Sequence, residues 1–294
     1  MNEVRLTFFG CVISIVSNSK FVIQRIAYIF RYFLTDEENI DLYFKINLIS
    51  TDANLELVNS QDKFNIEYSY DNNKFFKWNY LDTFMPPLQI EPLCNKYIVL
   101  HGCAARVKDQ TVCFFAPSMA GKTSILLMLL EYGYKAISDD LLFWNLQTKE
   151  LKVYKKPVGI RESMINIMPD LFKKIQEIVK RKDVPCFYNN YNKRTWLMHL
   201  DDIYNEEIYY KKDSTINYIF IPTIHGEKFE KVSALKSFEL CLNSICNSGV
   251  NRERIRKGCI DIIESTKGIY ILPTNDLKKS YEYLMSVINE EHIG

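Results

Sequence analysis

The sequence lacks the features that mark several common classes of protein. Positive and negative charges nearly cancel, leaving a net charge of +1 at pH 7, which excludes the strongly basic surface of a nucleic-acid-binding protein. Only four histidines are present, and none of the eight cysteines forms a Cys-x-x-Cys pair, so no zinc-site spacing appears. We therefore expect reduced, largely buried thiols in a cytoplasmic protein.

A targeting or membrane-spanning segment is also lacking. The apolar stretch over residues 6–16 is short, contains Gly10 and follows Glu3, which suits neither a signal peptide nor a membrane span. We accordingly expect no membrane partner. What the chain does have is 47% hydrophobic and 14% aromatic residues over 294 positions, enough for one large domain or two small ones.

One stretch combines a β-rich run, a tight loop and a helix. Residues 112–115 are apolar, Gly121-Lys122-Thr123 follows, and residues 125–130 are apolar without a breaker. The loop fits the G-x-x-x-x-G-K-T pattern of a P-loop, with Ala116 in place of the first glycine. In such a loop backbone N–H groups surround the phosphates, the lysine reaches the outer ones and the Thr hydroxyl ligates Mg²⁺. The predicted nucleotide-binding residues are Ser118, Met119, Ala120, Gly121, Lys122, Thr123 and Ser124.

A pair of adjacent carboxylates follows this helix. Gly133 is placed to end the helix, residues 134–138 read as a short strand, and Leu141 to Trp144 continue the strand after Asp139-Asp140. One carboxylate at the end of a buried strand can help to hold Mg²⁺, and the other can take a proton from an attacking hydroxyl. The sequence leaves open which does which; Thr123 with Asp140 is the predicted metal pair.

The rest of the chain divides near Met85-Pro86-Pro87. Residues 1–88 read as an α+β region with strands on either side of a turn near Gly10, a helix over 21–33, and a hairpin around residues 71–73. Residues 89–294 read as an α/β domain that starts with a strand over 97–107. Within it, residues 173–212 look like a helix plus a mobile insertion rich in charges and aromatic rings.

This order of motifs resembles the kinase domain of HPr kinase/phosphorylase and the related peptide serine kinases of peptide-modification clusters, such as the lasso-peptide kinases. The resemblance rests on His101-Gly102, the P-loop, Gly133-Tyr134 and Ser138-Asp139-Asp140, and covers residues 97–165 specifically. It implies a P-loop kinase core of the HPr kinase/phosphoenolpyruvate carboxykinase type, with ATP and Mg²⁺ as cofactors. The family's Glu-x-Arg-Gly segment is missing, which speaks against HPr itself as the substrate.

Four further positions carry candidate roles with open alternatives. The resemblance places His101 near the phosphates or the metal, although a histidine satisfied within the core fits equally well. Arg161 follows a Pro-x-Gly loop and could stabilise a transferring phosphoryl group, or be a surface residue. Lys155 and Lys156 fit solvated charges better than acceptor recruitment.

The sequence thus predicts a phosphotransferase whose acceptor is a hydroxyl, with serine of a peptide or protein as the class that the resemblance implies. The candidate catalytic residues are Lys122, Asp139, Asp140, His101 and Arg161. A kinase of a small molecule, such as free serine or a sugar, and a non-catalytic nucleotide-binding regulator are the alternatives. We predict that a peptide would cross the insertion with Lys193, Arg194 or Arg161 near its reactive end. Exposed rings in the insertion would suit peptide capture, although packing of most of these rings onto the core fits slightly better. A homo-oligomer is compatible with the sequence.

Overall fold

The computed structural model describes residues 2–17, 20–36, 44–51, 65–71, 95–117, 119–182, 184–188, 194–224, 228–246 and 250–290. Its contacts group the chain into two compact units. The first unit comprises Met1–Pro87, Ile160–Ser163 and Asp183–Leu197. The second unit comprises Leu88–Gly159, Met164–Lys182 and Met198–Gly294. The predicted boundary between residues 88 and 89 lies outside the described residues and stays a prediction.

The first unit contains a four-stranded sheet in the order β1-β2-β3-β4. Its elements are β1 (Asn2–Phe8), β2 (Cys11–Ser17), α1 (Lys20–Ile29), β3 (Phe44–Thr51) and β4 (Asn65–Asp71). β1 and β2 form the predicted hairpin, whose two turn residues, Phe9 and Gly10, both have positive φ, as a tight two-residue turn requires. β3 and β4 add in parallel. The predicted hairpin at residues 71–73 falls largely outside the described residues.

Helix α1 carries its apolar residues at helical spacing, so one face can be covered. Ile23, Ile26 and Phe30 are buried, and the helix lies against β1 and β2. A second sheet belongs mainly to this unit and has the order β10-β12-β11. Its strands are β10 (Val158–Arg161), β11 (Cys186–Tyr188) and β12 (Arg194–Met198).

The second unit is built on a mixed eight-stranded sheet with the order β14-β15-β13-β6-β5-β8-β9, in which β7 also pairs with β5. The strands are β5 (Tyr97–Val107), β6 (Gln110–Phe115), β7 (Lys135–Ser138), β8 (Leu141–Asn145), β9 (Leu151–Lys152), β13 (Tyr218–Thr223), β14 (Glu230–Lys231) and β15 (Gly268–Pro273). β13 runs parallel to both β6 and β15, and the other pairs are antiparallel. Strand β5 is almost continuously buried, which makes it the centre of the core.

Helices surround this sheet: α2 (Lys122–Glu131), α3 (Pro169–Arg181), α4 (Leu200–Ile203), α5 (Ala234–Asn243), α6 (Arg252–Ser265) and α7 (Leu277–Glu290). Short 3₁₀ turns cover Glu162–Asn166 and Glu206–Ile208. Local sequence explains their starts: Ser233 and Asn251 accept hydrogen bonds from the first turns of α5 and α6, and Pro169 opens α3. None of the helices in the described ranges is both long and apolar enough to cross a membrane.

The predicted mixed α/β class is confirmed, and several elements match closely. Gly133 ends α2 as predicted: it has φ 84°, its N–H donates to Leu130 O at 2.9 Å, and the Tyr134 N–H donates to Leu129 O at 3.1 Å. This is the hydrogen-bond pattern of a Schellman C-cap. The six cysteines whose side chains the structure describes are all free thiols, also as predicted.

For the aromatic rings between residues 173 and 212, the sequence slightly favours packing onto the core over exposure, and the described rings follow the favoured alternative. Trp196 and Tyr209 are buried, and Tyr204 and Tyr210 are only half exposed, because these rings pack within the fold. The side chains of Tyr188, Tyr191 and Lys193 lie outside the described residues. Helix α6 was not predicted at all, since its many charged residues obscure the apolar face formed by Cys259 and Ile262.

Close approach of β5 and its neighbours depends on Gly102. A Cβ atom there would meet the carbonyl oxygen of Phe114 at 2.7 Å and the Cδ1 atom of Phe115 at 2.9 Å. Because a backbone oxygen inside a sheet cannot move aside, we expect Gly102→Ala to lower the free energy of unfolding by about 1–3 kcal/mol. Gly133→Ala, with no atom within 4 Å but φ 84°, should cost about 1 kcal/mol. Urea unfolding measures both, and a Gly102→Ala protein as stable as wild type would contradict this packing.

Candidate functional site

The predicted P-loop has a strand, a turn and a helix in the expected order. Strand β6 ends at Phe115 and α2 begins at Lys122, with Gly121 as the capping residue at φ 90°. Met119 also has a left-handed φ, of 75°, so the chain turns sharply between strand and helix. Ser118 lies outside the described residues. The first N–H groups of α2 have no partner within the helix and carry its partial positive charge, so they can bind an anion.

Lys122 folds back over the loop that precedes it. Its Nζ donates hydrogen bonds to the carbonyl oxygens of Ala116, at 2.5 Å, and Pro117, at 2.9 Å. The residue is only 7% exposed, so a solvated lysine at a helix start is excluded. The ammonium group therefore lies at the mouth of the loop, beside the first turn of α2.

His101, on β5, links this lysine to the acidic pair. Its Nε2 lies 3.0 Å from Lys122 Nζ, and its Nδ1 lies 3.4 Å from Asp140 Oδ1. Burial and then the charge of Lys122 lower the pKa of His101, so the ring is neutral at pH 7. Because Lys122 can only donate, the hydrogen-bond network assigns the ring proton to Nδ1, facing Asp140. His101 thus lies between Lys122 and Asp140, and its role toward a phosphate or a metal stays a prediction.

Asp139 and Asp140 interrupt what would otherwise be one long strand. β7 and β8 both pair antiparallel with β5, on either side of the two aspartates. Asp140 has a left-handed φ of 70°, and its carbonyl accepts a hydrogen bond from the Gly102 N–H at 3.1 Å. A positive φ at a residue other than glycine is uncommon and is often found at functional sites. The interruption sends the two carboxylates to different partners.

Asp139 faces the P-loop helix. The hydroxyl of Thr123 donates to its carboxylate, with distances of 3.2 Å to Oδ1 and 3.3 Å to Oδ2, and the residue is 6% exposed. The predicted metal pair was Thr123 with Asp140, but the Thr123 hydroxyl contacts Asp139 instead. Hydroxyl and carboxylate oxygens are the ligands that Mg²⁺ prefers, so the Thr123–Asp139 pair fits the predicted ion.

Asp140 faces a lysine that the sequence analysis assigned to the solvent. Lys156 is 4% exposed, and its Nζ donates to Asp140 Oδ2 at 2.5 Å. The prediction of a solvated Lys156 is therefore wrong. Burial runs continuously from Lys156 through Pro157 to Val158, so no period-two pattern in the sequence marked the lysine as inward.

The two carboxylates differ strongly in acidity. Burial and then the charge of Asp140 raise the pKa of Asp139 to about 6. Burial also acts to raise the pKa of Asp140, but the opposing effects of Lys156 and His101 outweigh it and lower this pKa. Asp140 is therefore firmly ionised at neutral pH, whereas Asp139 is closer to its titration range.

Arg161 is the last of the predicted catalytic residues. It lies at the end of β10 in the first unit, so its role stays a prediction. Thr274, which the sequence analysis missed, donates to the P-loop carbonyl of Ala120 at 3.3 Å. In the described ranges no cluster of three or more His, Cys, Asp or Glu side chains is arranged to hold a metal ion.

The raised pKa of Asp139 predicts a pH-dependent cost in stability. The folded protein binds this proton more tightly than the unfolded chain, whose ordinary pKa is 3.8, so ionisation destabilises the fold as pH rises from about 4 to about 6. Asp139→Asn removes the cost, keeps an acceptor for Thr123, and should be more stable than wild type at pH 7 by about 1–3 kcal/mol. Urea unfolding of both proteins at several pH values tests this. An advantage that does not grow between pH 4 and pH 7 would contradict it.

No protein-family model and no curated protein matches this chain. Among solved structures, similarity is found to a chain described as the Hpr(Ser) kinase/phosphatase from Coxiella burnetii. The two chains are 9% identical, the match covers 67% of this chain and 99% of that one, and the TM-score is 0.35. A likeness this distant carries no argument about the chemistry, which has to be argued from the residues of the site itself.

Proposed function

We propose that the second unit binds ATP with Mg²⁺ at residues 118–124 and transfers the terminal phosphoryl group to a hydroxyl group. The observation that carries the proposal is the arrangement of four polar side chains, three of them charged, around the P-loop. Lys122, His101, Asp140 and Lys156 form one continuous chain of polar contacts, and Thr123 joins Asp139 at the start of α2. Opposite charges concentrated at a helix N-terminus suit phosphoryl transfer, which depends on positioning and on stabilising charge.

The phosphate-binding part of the proposal rests on α2 and Lys122. Incoming phosphate oxygens would accept hydrogen bonds from the N–H groups at the start of the helix, where its dipole is positive. Lys122 Nζ now donates to two loop carbonyls, and a phosphate oxygen would offer it a charged acceptor instead. The lysine is therefore already beside the loop before a ligand arrives.

The metal part of the proposal rests on Thr123 and Asp139. Mg²⁺ commonly takes only one or two protein oxygens, with water and substrate phosphates completing its shell, so a hydroxyl and one carboxylate would be sufficient. When bound, the ion would neutralise charge on the phosphate oxygens. Asp139 would bind Mg²⁺ as the ionised carboxylate, so the raised pKa of Asp139 would fall when the ion binds.

The remaining carboxylate, Asp140, is then the candidate general base. Its side chain is 34% exposed, so an acceptor hydroxyl can reach it, whereas Asp139 is nearly covered. In the reaction the acceptor oxygen forms a bond to the terminal phosphorus, the bond from that phosphorus to the bridging oxygen breaks, and ADP leaves. The hydroxyl proton passes to Asp140, which Lys156 and His101 hold ionised and in place.

The acceptor class rests on the resemblance, whereas the chemistry rests on the side chains of the site. The four side chains fit transfer to any hydroxyl, and serine of a peptide or protein is the class implied by the resemblance to HPr kinase-related kinases. A kinase of free serine or a sugar uses the same site. A non-catalytic nucleotide-binding regulator stays the alternative, and the partly exposed carboxylate of Asp140, in contact with His101 beside Lys122, favours the enzyme.

Lys122→Ala should weaken binding of Mg·ATP by more than about tenfold, because the variant loses the only P-loop ammonium group that can reach the phosphates. Isothermal titration calorimetry measures the affinity. Lys236→Ala is the control, since Lys236 lies exposed on α5 of the same unit and pairs with Glu239. Equal ATP affinities for wild type and Lys122→Ala would remove the proposed site.

Phosphoryl transfer itself should depend on Lys156. We expect wild type to add the mass of one phosphoryl group to a serine-containing peptide, and Lys156→Met to lose most of this activity, because Asp140 would no longer be held ionised. Mass spectrometry of candidate peptides, free serine and sugars after incubation with Mg·ATP identifies the acceptor class. Label on a small molecule alone would contradict the peptide assignment, and equal rates for Lys156→Met and wild type would contradict the role of Lys156.

A further inference from the structure

A cavity of about 470 Å³ opens in the second unit beside the ends of two strands. Its walls include Thr223 and Pro273, which end β13 and β15, together with Phe229, Asn275, Lys279 and Tyr283. The wall is partly aromatic and partly polar, with the amide of Asn275 and the ammonium groups of Lys228 and Lys279 beside the rings. Cavities of this size and mixed lining are typical of sites for small organic ligands.

The strand register places this cavity next to the P-loop. β13 runs parallel to β6 with Phe220 opposite Phe114, and Thr223 lies opposite Pro273 on β15. The carboxyl ends of all three strands therefore meet at the edge of the sheet where the P-loop begins. Neighbouring strands lie roughly 5 Å apart, so the cavity is one to two strand widths from the loop, within the span of a nucleotide.

The hydroxyl of Thr274 links the P-loop to the cavity wall through hydrogen bonds. Its hydroxyl lies 3.3 Å from the P-loop carbonyl of Ala120 and 3.0 Å from the carbonyl of Thr223. A Cβ atom added at Gly121 would lie 3.4 Å from the same hydroxyl. Thr274 thus connects the P-loop to Thr223, a residue of the cavity wall, and a ligand held at one place is in reach of the other.

The cavity wall continues a row of nearly parallel rings. Tyr270 and Phe229 have centroids 5.7 Å apart with an interplanar angle of 7°, and Phe229 and Tyr283 have centroids 4.8 Å apart with an angle of 5°. Tyr283, at the outer end, is 38% exposed. A flat heterocycle can extend such a row by stacking, and an amide such as that of Asn275 can pair with the donors and acceptors of a purine edge.

We propose that this cavity binds the base and ribose of the nucleotide whose phosphates lie at residues 118–124. The ligand class is a purine nucleoside triphosphate. Tyr283, the outer ring of the row, stacks on the base, and Phe229 supports Tyr283 from behind. Asn275 contacts the edge of the base, and Lys279 lies near the sugar. The inference rests on the proposed nucleotide site, and it adds that the second unit recognises the base as well as the phosphates.

The test compares ATP with inorganic tripolyphosphate, which has the phosphates and lacks the nucleoside. Loss of one base–aromatic stack costs roughly fivefold to a hundredfold in affinity, so Tyr283→Ala should weaken ATP by about tenfold and leave tripolyphosphate unchanged. Tyr283→Phe should bind both like wild type. Lys122→Ala should weaken both ligands, since it acts on the phosphates. The control is Tyr132→Ala, an exposed tyrosine that stacks on Tyr281 with ring centroids 4.0 Å apart.

The outcomes separate the two proposals. Unchanged ATP affinity in Tyr283→Ala, with loss in Lys122→Ala, would overturn the base site and leave the phosphate site standing. Equal loss of ATP and tripolyphosphate in Tyr283→Ala would also overturn it. If wild type binds neither ligand, the proposed function fails and the base site with it. As a second readout, photolabelling with 8-azido-ATP should modify peptides containing Phe229 or Tyr283, and labelling elsewhere alone would contradict the assignment.

Discussion

The constraint on which the site depends is a group of four charges, three of them buried, at one edge of a sheet. Lys122, Lys156 and Asp140 are joined by contacts that include His101, and Asp139 accepts a hydrogen bond from Thr123 beside them. Lys122, Lys156 and Asp139 are each less than 10% exposed. Charges removed from water are tolerated only when they are paired and hydrogen-bonded. The two positive charges offset the two negative ones. The raised pKa of Asp139 shows that its carboxylate is the least well compensated of the four.

The fold supplies the positions through its central strand. β5 carries His101 and Gly102, pairs with β6 before the P-loop, and pairs with β7 and β8 on either side of the two aspartates. Gly102 lets these strands approach, and the left-handed φ of Asp140 turns its carboxylate away from that of Asp139. A site assembled on strands is held more rigidly than one on loops, which suits chemistry that depends on positioning.

Sequence reasoning found the parts of the site whose chemistry is local. Lys122 and Thr123 follow from the P-loop spacing, and Gly133 follows from helix-ending rules, because each depends on residues close in the chain. Lys156 was missed, since its burial depends on Asp140, which approaches only in the folded sheet. The partners of Asp139 and Asp140 could not be separated either, because one positive φ between them decides which way each carboxylate points.

The central claim, that Thr123 and Asp139 would hold the metal of a nucleotide, is tested most directly by the effect of Mg²⁺ on ATP affinity. Titration calorimetry with and without Mg²⁺ gives this effect for wild type and for Asp139→Asn. The account predicts that Mg²⁺ tightens ATP binding to wild type and that most of this gain disappears in Asp139→Asn. An equal gain from Mg²⁺ in both proteins would contradict it.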